Sequence, residues 1–375
     1  MKFFPFQNLL RLLVMLSALA FSSSCGRNGW WNRQKTFTIH RGVNISHWLS
    51  QSKRRGEARD TFFTEKDVAF IASCGYDHIR LPIDEEQMWT PEGQKIDTAF
   101  RLLHNALSWC EKYHLRTIVD LHIIRSHHFL MEAPPLWTDP VEQKKFVHLW
   151  SDLSAELSKY PVNRVAYELM NEAVAPDPEM WNNLIERTVG ELRKKEPLRK
   201  IVIGSNRWQS ASTFDKLRVP TGDTNIILSF HFYHPLTLTH YKAGWTKVGE
   251  YKGPVKYPGI TVEENDMVGL PDDLVQALRY ENGNFNKDTF LFMIRKPLHL
   301  ADSLKLPLYC GEFGCLPSAP REMRLQWYKD MVSLLEENNI AWANWDYKGG
   351  FGIIFKGEPD KELIKILTIK DNEDI

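Results

Sequence analysis

Two short, mostly apolar runs carry a glutamate at their C-terminal ends. Val165–Glu172 reads VAYELMNE, and Leu308–Gly314, whose Glu312 lies 140 residues beyond Glu172, reads LYCGEFG. Runs of this length between loop residues suit strands buried on both faces, as in a parallel sheet. A carboxylate at the end of such a strand is costly to bury unless it has partners. Two carboxylates facing one another across a pocket can share acid–base work. One holds a proton for a leaving oxygen, while the other is ionised and attacks or activates water. Their surroundings must then push the two pKa values apart.

Other strand-like runs end in polar or aromatic groups as well: Arg80 in HIRLPI, His122 in RTIVDLH, Asn171 beside Glu172, His231 and Tyr233 in IILSFHFY, and Trp345 in AWANWDY. Taken singly, Arg80 reads as a salt-bridge partner, either histidine as a satisfied core residue and Trp345 as core. Polar groups at the same end of six strands carry more weight together than any one alone. Arg80 near Glu312 would keep that carboxylate charged, and Tyr233 could donate it a hydrogen bond. Glu172, facing a negative neighbour, would stay protonated. Asn171 could bond a sugar hydroxyl and Trp345 form a stacking floor.

Positioning these groups takes a scaffold of alternating strands and helices. Strand-like runs fall at Phe37–Val43, His78–Ile83, Arg116–His122, Val165–Glu172, Lys200–Ser205, Ile226–Tyr233, Pro307–Gly314 and Ala341–Tyr347. Helix starts are marked by Thr64 with Asp67 as a capping box, by Asp97 as a cap, and by Asp139-Pro140 and Asp177-Pro178 with proline at the first helical position. Eight strands with helical patterns between them predict an α/β fold, a (β/α)8 TIM barrel whose C-terminal rim builds the site. The stretch from His234 to about Asn284 breaks the rhythm. It reads as an elaborated loop after strand six, with Tyr241, Trp245, Tyr251 and Tyr257 on it.

The ordered set resembles glycoside hydrolase family 5, the cellulase family of clan A. That family places arginine on strand two, histidine on strand three, Asn-Glu on strand four, His-x-Tyr on strand six, glutamate on strand seven and tryptophan on strand eight. Here these are Arg80, His122, Asn171, Glu172, His231, Tyr233, Glu312 and Trp345. Arg41–Asn44, Gly75–Pro82 and Gly349–Gly352 are also similar to the family's wording, so the resemblance spans roughly residues 36–370. It implies a retaining mechanism with Glu172 as acid/base and Glu312 as nucleophile, substrate binding by Arg80, His122, Asn171, His231, Tyr233 and Trp345, and no metal or organic cofactor. The substrate it implies is a β-glucan or related plant polysaccharide.

Within the family the choices are β-1,4-glucanase, mannanase, xyloglucanase and exo-acting β-1,3-glucanase. The segment Thr239–Trp245 resembles the corresponding loop of endoglucanase-type members, which favours endo-β-1,4-glucanase. Trp48, Trp208 and the Tyr241–Tyr257 loop are candidate subsite walls, and each also reads as packing. His127 and His128 read as loop residues near substrate. A metal-dependent hydrolase has material in His122, His127, His128, His231 and His234, but the first strand ends in Gly42-Val43-Asn44, not the His-x-His of such barrels. A non-catalytic surface glycan binder would show loss at the glutamates, and both are present.

Composition fits a soluble globular protein. The chain has 375 residues, 43% hydrophobic and 25% charged. Lys+Arg and Asp+Glu both number 47, so nothing favours nucleic acid or an anionic membrane as partner. The 13 tryptophans mildly favour a carbohydrate binder. We expect a monomer with residues 36–375 as one catalytic domain. Residues 1–24 read as an export signal, since Lys2 and Arg11 accompany the apolar Leu12–Phe21, which is too short to span a bilayer. Ser22-Ser23-Ser24 before Cys25 resembles a bacterial lipobox, with Ser22 where leucine is usual; the alternative is cleavage after Ala18-Leu19-Ala20. Residues 25–35 form a linker. The expected location is the outer membrane or cell surface through a lipid on Cys25, or otherwise the periplasm or medium. Cys74, Cys110, Cys310 and Cys315 lack zinc-site spacing and read as buried thiols.

Overall fold

The computed structural model describes residues 36–368. The expected signal, Cys25 and the linker lie outside the described residues. Eight parallel strands close into a barrel: β1 (Arg41–Asn44), β2 (His78–Asp84), β3 (Arg116–Ile123), β4 (Val165–Glu168), β5 (Ile201–Gly204), β6 (Ile226–Phe232), β7 (Leu308–Phe313) and β8 (Ala341–Asn344). Each pairs with its sequence neighbours, and β8 returns to β1 with Arg41 opposite Trp342. Every residue of β2, β6 and β7 is buried, as strands covered inside by their own side chains and outside by helices must be.

Local signals place the helices. Thr64 and Asp67 form the capping box of helix Glu65–Ser73. The Asp139 carboxylate accepts from Val141 N at 2.8 Å ahead of Pro140–Leu157, and Asp177 accepts from Glu179 N at 2.9 Å ahead of Pro178–Arg193. Asp97 is the first residue of helix Asp97–Lys112 and not its cap; Ile96 takes that position.

Three strand expectations need correction. Phe37 and Ile39 precede the ladder and belong to the apolar cluster that also holds Ile118, Ala166, Val202 and Ile227. The β4 ladder stops at Glu168, so Glu172 stands on the segment beyond it, with φ of 48°. Trp345 likewise follows the end of β8. Strand pairing ends where the backbone must turn to carry a side chain over the rim.

The stretch after β6 is more than a loop. It holds the helix Asp272–Glu281 and a small antiparallel ribbon of Gly259–Ile260 with Asn284–Phe285. Its tyrosines are tied down: Tyr241 Oη donates to Gly253 O at 2.8 Å, Tyr251 Oη to Pro254 O at 2.9 Å and Tyr257 Oη to Asp330 Oδ2 at 2.6 Å. All three are buried, leaving Trp245, 62% exposed, as the surface aromatic among those four. Among the described residues Cys74, Cys110, Cys310 and Cys315 are free thiols, half-buried at Cys74 and buried at the other three.

Candidate active site

The rim is built around Arg80, which is fully buried. Nε and Nη2 fork onto the Glu168 carboxylate at 2.7 and 3.0 Å. Nη1 donates to Glu312 Oε1 at 2.7 Å and to Asn44 Oδ1 at 3.0 Å. Nη2 also meets Asn171 Oδ1 at 2.9 Å and lies 3.0 Å from Asp120 Oδ2. A planar donor fork suits such a multidentate site, where a lysine would offer only a point charge.

Glu312 owes its position to a bulge. Phe230 pairs with Cys310 and His231 with Glu312, so Gly311 is the extra residue on β7. A Cβ on Gly311 would lie 2.8 Å from Ser229 Oγ and 3.2 Å from His231 Nε2, so the bulge needs glycine. The shift brings Glu312 level with His231. Tyr233 Oη donates to Glu312 Oε2 at 2.9 Å.

Glu172 faces this group from the other side. Its Oε1 is 2.9 Å from His231 Nδ1, which is 3.7 Å from Glu312 Oε2. Ligand atoms of Glu172, His231 and Glu312 all lie within 4.8 Å of one another. One oxygen of each carboxyl therefore lies within 4.8 Å of the other's, an approach compatible with the roughly 5–5.5 Å carboxyl separation of glycosidases that form a covalent intermediate.

Environment separates the two carboxyls. Burial, with the negative Glu312 adding to it, lifts the Glu172 pKa well above the ordinary glutamate value. Burial raises Glu312 too, but the Arg80 guanidinium and the Tyr233 hydrogen bond act against that rise. Glu172 is therefore the group that keeps a proton, and Glu312 the one that gives it up. Burial drives His231 well below its usual range, so a neutral imidazole can donate from Nδ1 to Glu172.

His122 completes the floor. Its ring stacks on Trp345 at 5.6 Å with 10° between planes. Nδ1 meets Asp120 Oδ2 at 2.7 Å and Nε2 meets the Gln51 amide at 2.8 Å. Burial pushes the ring down to about 3, so it is neutral and accepts from Gln51. Trp208 sits on the rim, 45% exposed, with Nε1 donating to Phe129 O at 2.9 Å.

All the expected site residues gather here, but four do so with changed parts. Arg80 has no exposed surface, so it acts through Glu312 and Glu168 and not on substrate. His122, 1% exposed, has both ring nitrogens engaged, and its direct contact with substrate gives way to support of Trp345. Asn171 and His231 are buried and turned onto the carboxylate cluster; the Asn171 oxygen is committed to Arg80, so only its NH2 end can meet a hydroxyl. Trp48 is not a subsite wall, being fully buried with Nε1 on Arg59 O. His127 is buried and accepts from Val174 N at 3.1 Å, which leaves half-buried His128 as the loop histidine near the rim.

The sequence reading missed Glu168, Asp120, Gln51 and Gln209. Glu168 and Asp120 had a signal, each being a charge within an apolar strand, and Asp120 shares a face with His122 two residues on. Gln209 and Gln51 lie in irregular segments and carried none. Among the described residues, the one group of His, Cys, Asp or Glu that could hold a cation is Glu172, His231 and Glu312. With the Arg80 guanidinium already 2.7 Å from Glu312, a second positive charge fits poorly.

Comparison with known proteins agrees with this geometry. The family model described as Cellulase (glycosyl hydrolase family 5) matches residues 40–350. Endoglucanase C of Acetivibrio thermocellus is 34% identical over 314 residues, covering 82% of this chain and 90% of that relative. Cellodextrinase A of Ruminococcus flavefaciens is 27% identical, covering 82% and 85%. The crystal structure of endoglucanase Cel5A from Thermotoga maritima superposes with a TM-score of 0.69 at 25% identity, covering 90% of this chain and 98% of that one.

Proposed function

The chain belongs to glycosyl hydrolase family 5, the cellulase family, and from that membership we propose that it is a retaining endo-β-1,4-glucanase with Glu172 as acid/base and Glu312 as nucleophile. The single observation that carries the mechanism is the pair's geometry, two carboxyls within 4.8 Å with Arg80 on one of them alone. The endo-β-1,4 assignment rests on the endoglucanase relative that covers most of the chain.

In the first step the Glu312 carboxylate attacks the anomeric carbon. The glycosidic C–O bond breaks and Glu172 gives its proton to the departing oxygen, leaving a glycosyl ester on Glu312. Glu172, now ionised, takes a proton from water, whose oxygen attacks the same carbon and returns Glu312 to its carboxylate. As Glu312 loses charge on esterification, the repulsion that helped hold a proton on Glu172 fades, which suits its change from acid to base. Tyr233 and Arg80 hold Glu312 in line, and Trp345 on His122 offers an apolar face for the sugar at the cleavage point.

A product profile on carboxymethylcellulose, mixed-linkage glucan, mannan and β-1,3-glucan, run beside Glu312→Gln, tests this. Release of reducing sugar with a rapid drop in viscosity from the first two, absent in the variant, is the expected result. Activity confined to mannan or β-1,3-glucan would move the substrate and keep the mechanism. Binding with no hydrolysis would leave a glycan-binding protein. The cellodextrinase relative supports a second reading, preference for short oligosaccharides; reducing ends released without loss of viscosity would favour it.

Export and a lipid anchor at Cys25 are part of the same proposal, supported by the charged, apolar and small-residue order of the first 25 residues. The chain would then act at the outer membrane or cell surface as a monomer. Loss of radiolabelled palmitate incorporation in Cys25→Ser tests the anchor.

A further inference from the structure

The backbone segment that carries Glu172 is zipped to a second segment at the end of β5. Glu172 N donates to Gln209 Oε1 at 2.9 Å, and Trp208 N donates to Ala173 O at 3.3 Å. Ala175 N donates to Asn206 Oδ1 at 2.7 Å, and Asn206 Nδ2 donates back to Ala175 O at 2.8 Å. Glu172 is held in the left-handed region, φ 48°, and so are Arg207, Trp208 and Gln209, at 60°, 61° and 52°. None is glycine, and each such residue costs of order 1 kcal/mol or more, so surrounding contacts must impose the turn.

Gln209 is the contact in that zipper that also reaches the nucleophile's side. It is 1% exposed, and its Nε2 donates to Glu168 Oε1 at 3.2 Å and to Ser229 Oγ at 3.1 Å. Glu168 in turn forks Arg80, which holds Glu312. Only an amide offers an acceptor to a backbone N–H at one oxygen and donors to a carboxylate and a hydroxyl at the adjacent nitrogen. The fold makes room for it: a Cβ on Gly204 would lie 2.3 Å from the Gln209 side chain.

We propose that Gln209 is a positioning residue for the proton donor, fixing the left-handed backbone of Glu172 so that its carboxyl meets the glycosidic oxygen. The proposal rests on the assignment of Glu172 as acid/base. Proton delivery depends on placement, and an error of about 1 Å costs on the order of 10²-fold. Attack by Glu312 on a substrate whose leaving group needs no proton does not depend on it.

The test compares carboxymethylcellulose with 2,4-dinitrophenyl β-cellobioside in Gln209→Met, which keeps the length and removes both hydrogen-bonding ends. We expect kcat/KM on the polymer to fall about 10²-fold and kcat/KM on the aryl substrate to stay within about threefold, with azide restoring turnover of the aryl substrate. An equal loss on both substrates, or no loss on the polymer, overturns the proposal. Glu172→Gln run in parallel separates the two claims. If it spares the aryl substrate and Gln209→Met does not, Gln209 falls alone; if Glu172→Gln itself loses both activities equally, the acid/base assignment falls and takes the proposal with it.

Gln209→Glu keeps the test open should the methionine variant not fold. The introduced carboxyl would face Glu168, Ser229 and the Glu172 N–H, with Arg80 beyond Glu168. Protonated, it can still accept from Glu172 N and donate to Glu168; ionised, it repels Glu168. Polymer activity should approach the native level at low pH and fall away at a lower pH than in the native enzyme. A pH profile that overlays the native one overturns the proposal.

Discussion

Arg80 Nη1 stands 2.7 Å from Glu312 Oε1, with the arginine fully buried and the glutamate nearly so. The same guanidinium forks Glu168, so one cation fixes a carboxylate below the rim and another at it. Charge and place are thus set for the nucleophile before any sugar arrives.

Arg80→Ala should cost about 10²–10³-fold in kcat/KM, by leaving Glu312 unanchored and easier to protonate. It should also cost about 3–5 kcal/mol of stability, since Glu168 and Glu312 lose a buried partner. Steady-state kinetics with urea unfolding checks both. Arg80→Lys should recover part of the stability and little of the activity, because an ammonium cannot fork Glu168 while reaching Glu312.

The pH profile of kcat/KM should be a bell whose acid limb reports loss of charge on Glu312 and whose basic limb reports loss of the proton from Glu172. Both values belong to the coupled pair. The Tyr233 hydrogen bond lowers the Glu312 pKa, so Tyr233→Phe should move the acid limb upward. An acid limb that stays in place would show that Tyr233 does not tune the nucleophile.

Glu312→Gln should lower the Glu172 pKa, because the second cause of its rise, the negative Glu312, is gone. It should stay above the ordinary glutamate value, since burial, the larger cause, remains. Carbon-13 NMR titration of the labelled glutamate reads the change directly.

Asp84 predicts a stability trend in the same pH range. Burial pushes its carboxyl up to about 7, and its Oδ2 accepts from Gln51 N at 2.7 Å. Between the unfolded value near 4 and about 7, the folded state holds a proton that the unfolded chain has lost. This contribution therefore falls as pH rises through that window, with a limiting slope of about 1.4 kcal/mol per unit. Asp84→Asn should flatten the fall in Tm while preserving the bond to Gln51.

Trp208→Ala should raise KM on polymer about tenfold with a smaller effect on kcat, if the half-exposed ring supplies about 1–2 kcal/mol of sugar contact. A drop in kcat with KM unchanged would place the ring outside the subsites.

Much of the fold was legible because its signals are local. Strands β2 and β6 are buried along their length and read as mostly apolar runs interrupted by the few polar groups that matter, while Asp139-Pro140 and Asp177-Pro178 announce helices within two residues. Inside the elaborated loop between His234 and Asn284 the helix and ribbon were not legible, since they are short and Tyr257 buries against a partner remote in sequence, Asp330.

The sequence by itself determined the alternation of strands and helices and the kinds of side chain at the rim, for a barrel strand declares its burial pattern within about eight residues, though not the residue at which its pairing stops. Tertiary structure decided what those side chains do. Which carboxyl keeps a proton depends on Arg80 lying against Glu312, 232 positions away, and on burial that no window reveals. It also turned Arg80, Asn171, His122 and His231 from expected substrate contacts into supports, and brought Gln209, in an irregular segment, under the backbone of Glu172. Electrostatic and hydrogen-bond roles are set by distances across the barrel, and closing the barrel is what fixes them.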